Sequence, residues 1–359
     1  MNRRSAGLHD ENHCVDTIFC GPYHRMDSKS AIPLARVTTD RLKKETSNSM
    51  NTASSVATGL ALIAGFTCEA AAFAQQMKQI ADPNFDAKVA DPTFTKKHPR
   101  VLFDEAHHNA STTTGRYKPF VDLIINDGYR VTPNKHEFSE ATLSGVRLLV
   151  IVNAAVPKNS AGDKHAFTEK ECDVLRRWVR RGGALLLVAD HAPNGQAAEN
   201  LAKRFGIDMR NGNTYDDEHC VRGAYWQLVF SRENKLLADH PITRGRGPKE
   251  RVRRVMTFGG QSLKGPQQST VLLKLAETAY DRLANDKTKT IPAAGRAQAV
   301  AMRFGKGRVV VLGEAAMLSA QVLWIGRVIP RTEMGMNVSG IDNRQFALNL
   351  MHWLSGILD

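Results

Sequence analysis

The chain has 359 residues, 42% hydrophobic and 24% charged, which is too apolar for a disordered chain and long enough for one large core or two small ones. Its 49 basic and 36 acidic side chains leave a net charge of +13, which favours anionic partners: surface polymers, lipid headgroups or nucleic acid. The five cysteines show no CxxC and no Cys/His spacing, which argues against a structural zinc site.

Residues 1–49 are polar and irregular, and the composition predicts a disordered or spurious N-terminal extension. Ser54 to Phe66 is uncharged and too short for a membrane-spanning helix, but it has the length of a signal-peptide core. Arg41, Lys43 and Lys44 supply the basic flank, and Ala72-Phe73-Ala74 fits the small-x-small cleavage rule. The expectation is a signal peptide over 50–74, with Met50 as the better start, cleavage before Gln75, and a periplasmic or secreted mature chain. A lipid anchor at Cys68, or a buried helix, are the alternatives for the same run. Cleavage would remove eight basic and seven acidic side chains and leave a net charge of +12. In an exported chain the anionic partner becomes an envelope component or a small ligand, and nucleic acid becomes unlikely. Only Cys172 and Cys220 would remain, and they could pair in an oxidising compartment.

Residues 75–97 are polar and predict a flexible arm, followed by a single α/β domain over 98–359. Arg100–Asp104 is a short apolar run of the kind that forms a buried strand. Phe120, Val121, Ile124 and Ile125 carry helical spacing and Gly128 ends that helix. Tyr129–Val131 predicts a second strand, Ser139–Leu143 a short helix, and Val146–Asn153 a third strand, apolar nearly throughout. Such continuous runs suit strands covered on both faces. Thr168-Glu-Lys-Glu171 is a capping box that starts a helix, closed by Gly182-Gly183. Ala184–Ala189 predicts a fourth strand and Gly195–Phe205 another helix. Residues 207–292 look like inserted loops with strands near Trp226–Phe230, Val255–Phe258 and Thr270–Leu273. Val300–Phe304 and Arg308–Leu312 flank Gly305-Lys-Gly307 as a hairpin, and a last helix is expected over about 343–358. The strand–helix rhythm predicts a three-layer αβα fold with a mostly parallel, doubly wound, flavodoxin-like sheet.

Sheets of that kind bind ligands beyond the carboxyl ends of their strands. The first strand ends in Asp104-Glu105-Ala-His107-His108-Asn109, the fourth in Asp190-His191, and the last in Gly313-Glu314. These residues are the ligand-binding candidates, and they would share one crevice if the first and fourth strands were neighbours. Neutral imidazoles with carboxylates suit a divalent metal, for which His107, Asp190 and His191 are the candidates. The same groups suit acid–base chemistry with His107 or His191 as base. Equally, Asp and His at strand ends can simply pin loops. Asp216–His219 reads as a cation site or, more simply, a solvated loop. Exposed Arg176-Arg177 and Arg180-Arg181 offer a basic face for an envelope interaction module.

Val101-Leu-Phe-Asp-Glu-Ala-His107, the Phe167-Thr-x-x-Glu171 helix start, Gly182-Gly-Ala-Leu-Leu-Leu-Val-Ala-Asp-His191 and Val311-Leu-Gly-Glu-Ala-Ala-Met317 resemble a bacterial family of unknown function in the class I glutamine amidotransferase-like superfamily. The resemblance covers roughly 98–358 and implies a flavodoxin-like fold. It departs from true amidotransferases at the nucleophile: the turn after the fourth strand is Ala189-Asp190-His191-Ala192, with no Cys, and no Gly-x-Ser-x-Gly is present. The expectation is an exported domain without glutaminase activity that binds a ligand at the strand ends. A hydrolase using the same crevice, with or without a metal, is the second reading, and an envelope interaction module the third.

Overall fold

The computed structural model describes residues 77–157, 162–325 and 329–359. The expected N-terminal extension and signal peptide lie outside the described residues. One mixed sheet organises the chain. Its strands are β1 (Arg100–Asp104), β2 (Arg130–Asn134), β3 (Leu148–Val152), β4 (Ala184–Val188), β5 (Asp208–Met209), β6 (Leu263–Lys264), β7 (Thr270–Lys274), β8 (Ala297–Phe304) and β9 (Gly307–Leu312). The order is β2-β1-β3-β4-β9-β8-β6-β5, with β7 also paired to β8.

The run β2-β1-β3-β4-β9 is parallel throughout. Its strands are apolar on both faces, and successive residues feed two different core layers. Leu149, Ile151, Leu185, Leu187, Val309 and Val311 face helices α2 (Glu169–Arg180) and α3 (Asn194–Lys203). Leu148, Val150, Val152, Leu186, Val188 and Val310 face α1 (Lys118–Asn126) and α4 (Asn343–Leu354). The strands are continuous apolar runs because each has packing partners on both sides.

The expected mostly parallel, doubly wound sheet is not what the chain forms. From β9 onward every pairing is antiparallel: β9 with β8, β8 with β6 and β7, and β6 with β5. Three further three-stranded sheets are antiparallel as well. The Gly305-Lys-Gly307 turn is the cause at the centre, because a short hairpin can only return a strand antiparallel. Residues 207–292, expected as inserted loops with three strands, do hold strands there (Ala224–Ser231, Arg254–Met256 and Thr270–Lys274), but with further short strands in hairpins that extend the sheet and build its satellites.

Two local expectations also change. Residues 140–145 form turns and no helix. The expected flexible arm is a built part of the molecule over the described residues. Met77–Ala81 pairs with Ala320–Ile325, Phe85, Val89 and Phe94 pack on the core, and Thr93 N donates to Asp127 at 2.8 Å. Cys172 and Cys220 are both free thiols.

Candidate functional site

The carboxyl ends of the parallel strands carry the polar residues singled out in the sequence, but the fold divides them into two groups. β3 lies between β1 and β4, so the first and fourth strands are not neighbours as the single-crevice expectation requires.

The first group centres on His107. Asp104, the last residue of β1, is fully buried. It receives the His107 Nδ1 at 2.9 Å and the Asn109 Nδ2 at 3.1 Å. The other imidazole nitrogen, Nε2, lies 2.9 Å from Glu171 Oε1. Glu171 also accepts the Phe138 N–H at 2.9 Å and the Thr168 N–H and hydroxyl at 3.0 and 2.8 Å. Thr168 and Glu171 are the capping box of α2, so the cap of this helix and the anchor of His107 are the same carboxylate. Phe138 stacks on the imidazole with centroids 4.8 Å apart, and Phe167 packs against it at a tilt, 4.7 Å away.

Ionised carboxylates only accept hydrogen bonds, so an imidazole held between two of them donates from both nitrogens and carries a positive charge. Burial works against that charge, but the hydrogen bonds and fields of Asp104 and Glu171 prevail and raise His107 to about 9. Burial likewise opposes ionisation of Glu171, yet His107 and its backbone donors hold it down at about 2. His107 therefore has no lone pair for a metal and no vacant nitrogen for base catalysis. Glu105 is likewise engaged, accepting from Thr113 N and Oγ1, both at 2.7 Å, and from Lys135 at 2.5 Å. Asn109 ties Asp104 to the Val152 carbonyl at 3.0 Å. His108 is exposed, with φ of +48°, beside a cavity of about 570 Å³ whose walls include Ala106, Lys164, His165 and Glu169.

The second group is Asp190 with Glu314. Asn153, at the end of β3, accepts the Asp190 N–H at 2.9 Å, and Gln261 donates to the carbonyls of Ala189 and Asp190 at 2.9 and 3.0 Å. These bonds fix the turn after β4. Asp190 itself is half-buried and accepts the His191 N–H at 2.7 Å. His191 is buried and its Nδ1 donates to the Ala192 carbonyl at 2.9 Å. Glu314 is fully buried and accepts the backbone N–H groups of Ala316 and Met317 at 2.5 and 2.8 Å. A third backbone donor is Phe258. Burial first, and the charge of Asp190 second, push its carboxyl up to about 8 against the pull of those three donors. Gly260 backs the pair with φ of +86°. A Cβ there would meet the Gly313 carbonyl and stand 2.7 Å from Glu314 Cβ. Tyr117 is buried below and donates to the Ala315 carbonyl at 2.6 Å.

Glu171, Asn134, Asn153, Gln261 and Tyr117 were not among the sequence candidates. Asn153 had a legible signal, since it is the polar end of an apolar strand run as Asp104 and Asp190 nearly are. Glu171 was visible only as a cap. Among the described residues no group of three or more His, Cys, Asp or Glu is arranged to hold a metal ion. With His107 engaged on both nitrogens, the metal candidates reduce to Asp190 and His191. Among the described residues no helix is long and apolar enough to cross a membrane.

No family model matches the sequence, and no curated protein matches it. Among solved structures, the chain is similar to the mmIFT52 N-terminal domain, with 16% identity and a TM-score of 0.51 over 71% of this chain and 97% of that one. It is also similar to the cytoplasmic protein STM3548 from Salmonella typhimurium, with 12% identity and a TM-score of 0.40 over 71% of this chain and 98% of that one. A ThuA-like protein from Bacteroides uniformis follows at 11% identity and a TM-score of 0.38, over 76% of this chain and 95% of that one. At 16% identity the likeness to the mmIFT52 domain is one of fold alone.

Proposed function

We propose that the chain binds a small polar ligand beyond the carboxyl ends of β4 and β9, at the Asp190–Glu314 pair, without the thiol chemistry of a glutaminase. The observation that carries this reading is Glu314: a fully buried carboxyl pushed up to about 8 beside Asp190. Near neutral pH Glu314 holds a proton beside Asp190, and among the described residues no Lys or Arg is ion-paired with either. A hydroxyl- or amine-bearing ligand meets an acceptor at Asp190. The thiols support the second half of the reading. Burial pushes the Cys172 thiol up to about 12 within α2, and burial with Asp216 and Asp217 also raises Cys220. Neither is thiolate at neutral pH, and the thiolate is the nucleophile.

The same carboxyl pair supports a second reading, a hydrolase, because a carboxyl kept protonated near neutral pH, as Glu314 is, can serve as a general acid. Export through the 50–74 leader, and envelope association through the exposed Arg176–Arg181 face, accompany both readings as proposals.

Thermal shift of the full-length chain against neutral sugars and polyols, primary amines, and Mg²⁺ and Zn²⁺, repeated with Asp190→Asn, tests the site. The expected result is a stabilising ligand whose effect disappears in the variant. Equal stabilisation of both proteins would remove Asp190 from the site. Turnover of that ligand by the wild type but not by Glu314→Gln would favour the hydrolase.

A further inference from the structure

The small sheet formed by Gly212–Tyr215, Tyr280–Leu283 and Asp286–Pro292 has no part in the site above. Its register places residues in two cross-strand rows. Tyr215, Tyr280 and Pro292 form one row, and Asn213, Arg282 and Thr290 the next. Side chains alternate across a sheet, so both rows project from one face, separated by about 7 Å along the strands. The opposite face is turned inward and locked. Asp281 is fully buried and accepts from Thr214 Oγ1 and Ser262 Oγ, both at 2.6 Å, and from Arg210 at 2.9 Å. With Asp281 held, a slip of one residue would bury Arg282 and expose the carboxylate, so the outward face is specified.

On that face the two tyrosine rings lie nearly parallel, with centroids 5.6 Å apart and 21° between planes. The Arg282 guanidinium stands 5.0 Å from the Tyr215 centroid and 5.9 Å from that of Tyr280. The Tyr280 hydroxyl donates to Asp217 at 3.2 Å, which fixes its ring. Arg282 is half-buried, and among the described residues no carboxylate pairs with it. Arg204, Arg210, Arg246, Arg296 and Arg308 all have acid partners. The result is an oriented cation on an aromatic bed, with Asn213 and exposed Thr290 beside it.

We propose that this sheet face docks an acidic polysaccharide, with a uronate carboxylate on Arg282 and the sugar hydroxyls on Asn213 and Thr290, the tyrosine rings serving to orient the guanidinium. The guanidinium fork matches a carboxylate in two parallel hydrogen bonds. Its stacking on the rings fixes the fork without satisfying it. Asn213 and Thr290 supply hydroxyl partners within one sugar unit. The net charge of +13 attracts a polyanion to the molecule as a whole. A single-stranded nucleic acid also seeks aromatic rings and basic groups, but its bases need open ring faces. Here the cation stands over the rings, where a base would stack.

The test is affinity electrophoresis of the full-length chain through gels containing polygalacturonate, dextran or no polymer, with binding of a twenty-residue oligothymidylate measured at the same ionic strength. The wild type should be retarded by polygalacturonate and not by dextran, and should bind the oligothymidylate more weakly. Arg282→Ala should weaken retardation tenfold or more, Arg282→Lys should recover part of it, and Arg130→Ala, an equal loss of charge at the exposed start of β2, should leave it unchanged. All three should melt at the wild-type temperature. The proposal is overturned if polygalacturonate does not retard the wild type, if Arg282→Ala binds like wild type, if Arg130→Ala loses as much, or if the oligothymidylate binds more tightly.

Discussion

His107 joins two parts of the chain that share no backbone hydrogen bond at this point: the loop after β1 and the first turn of α2. Removing it leaves Asp104 and Glu171 buried near each other with no cation between them. His107→Gln should therefore lower stability by about 3–5 kcal/mol, the usual cost of stripping one partner from a buried ionic group. A loss below about 1 kcal/mol in urea denaturation would mean that the imidazole is not charged in place. The wild-type protein should show the same linkage in its pH dependence. The folded value of about 9 lies above the ordinary 6.5, so the stabilisation is fully present below pH 6.5 and is lost as pH rises through 9. Glu314 has the same sign in a lower window. Its folded value of about 8 lies above 4.5, so the native state binds the extra proton between these values and stability falls as pH rises across them. Glu314→Gln holds a neutral group at every pH. The difference in unfolding free energy between wild type and this variant should shift against the wild type from pH 4.5 to 8. A pH-independent difference would show that Glu314 titrates normally.

The elements meet the site through their ends. The turn after β4 is fixed by Asn153 from β3 and by Gln261 from the segment before β6, so three separate stretches set the position of Asp190. That segment approaches β9 closely enough that Gly260 has room for no side chain. Gly260→Ala combines a disfavoured φ of +86° with displacement of the Gly313 carbonyl or Glu314. It should cost more than about 2 kcal/mol and depress ligand binding at Asp190 together with stability. Thermal denaturation of the variant checks the first, and a wild-type melting temperature would show that the 259–261 segment is free to move. α2 was legible as a helix from its capping box alone, because the cap is a local interaction among residues 168–171. That its Glu171 also reaches His107, 64 positions away, was not legible, because nothing in the spacing of a capping box distinguishes a solvated Glu from one turned into the protein.

For the whole molecule, the leader and the charge make one prediction together. Expressed in a bacterial host with an export pathway, the chain should be recovered outside the cytoplasm with Gln75 as its first residue by N-terminal sequencing. Recovery of a cytoplasmic chain beginning at Met1 or Met50 would set aside export, and with it the envelope partners. The basic surface does not depend on that outcome, since residues 1–74 carry eight basic and seven acidic side chains. Several of its arginines are occupied: Arg232 and Arg244 by Asp239, Arg246 by Glu250, Arg303 by Asp359. The net charge therefore overstates the cations free to meet a partner, and the position of an unpaired one such as Arg282 matters more than the total.

The sequence alone determined what is local. The buried strands at Arg100–Asp104, Leu148–Val152, Ala184–Val188 and Gly307–Leu312 followed from continuous apolar runs, the start of α2 from four residues, and the strand-end placement of Asp104, Asp190 and Glu314 from the polar residues that stop those runs. The tertiary structure decided what depends on partners distant in sequence. A strand has no direction relative to its neighbours until it pairs, so beyond the Gly305-Lys-Gly307 hairpin the chain's own pattern did not reveal the antiparallel half of the sheet. A strand-end carboxylate has no role until its neighbours arrive. Asp104 and His107 closed into a satisfied ionic core because α2 brought Glu171 to them. Asp190 and Glu314 are held by backbone groups, and among the described residues no Lys or Arg is ion-paired with them, which is why the proposed ligand site is placed there.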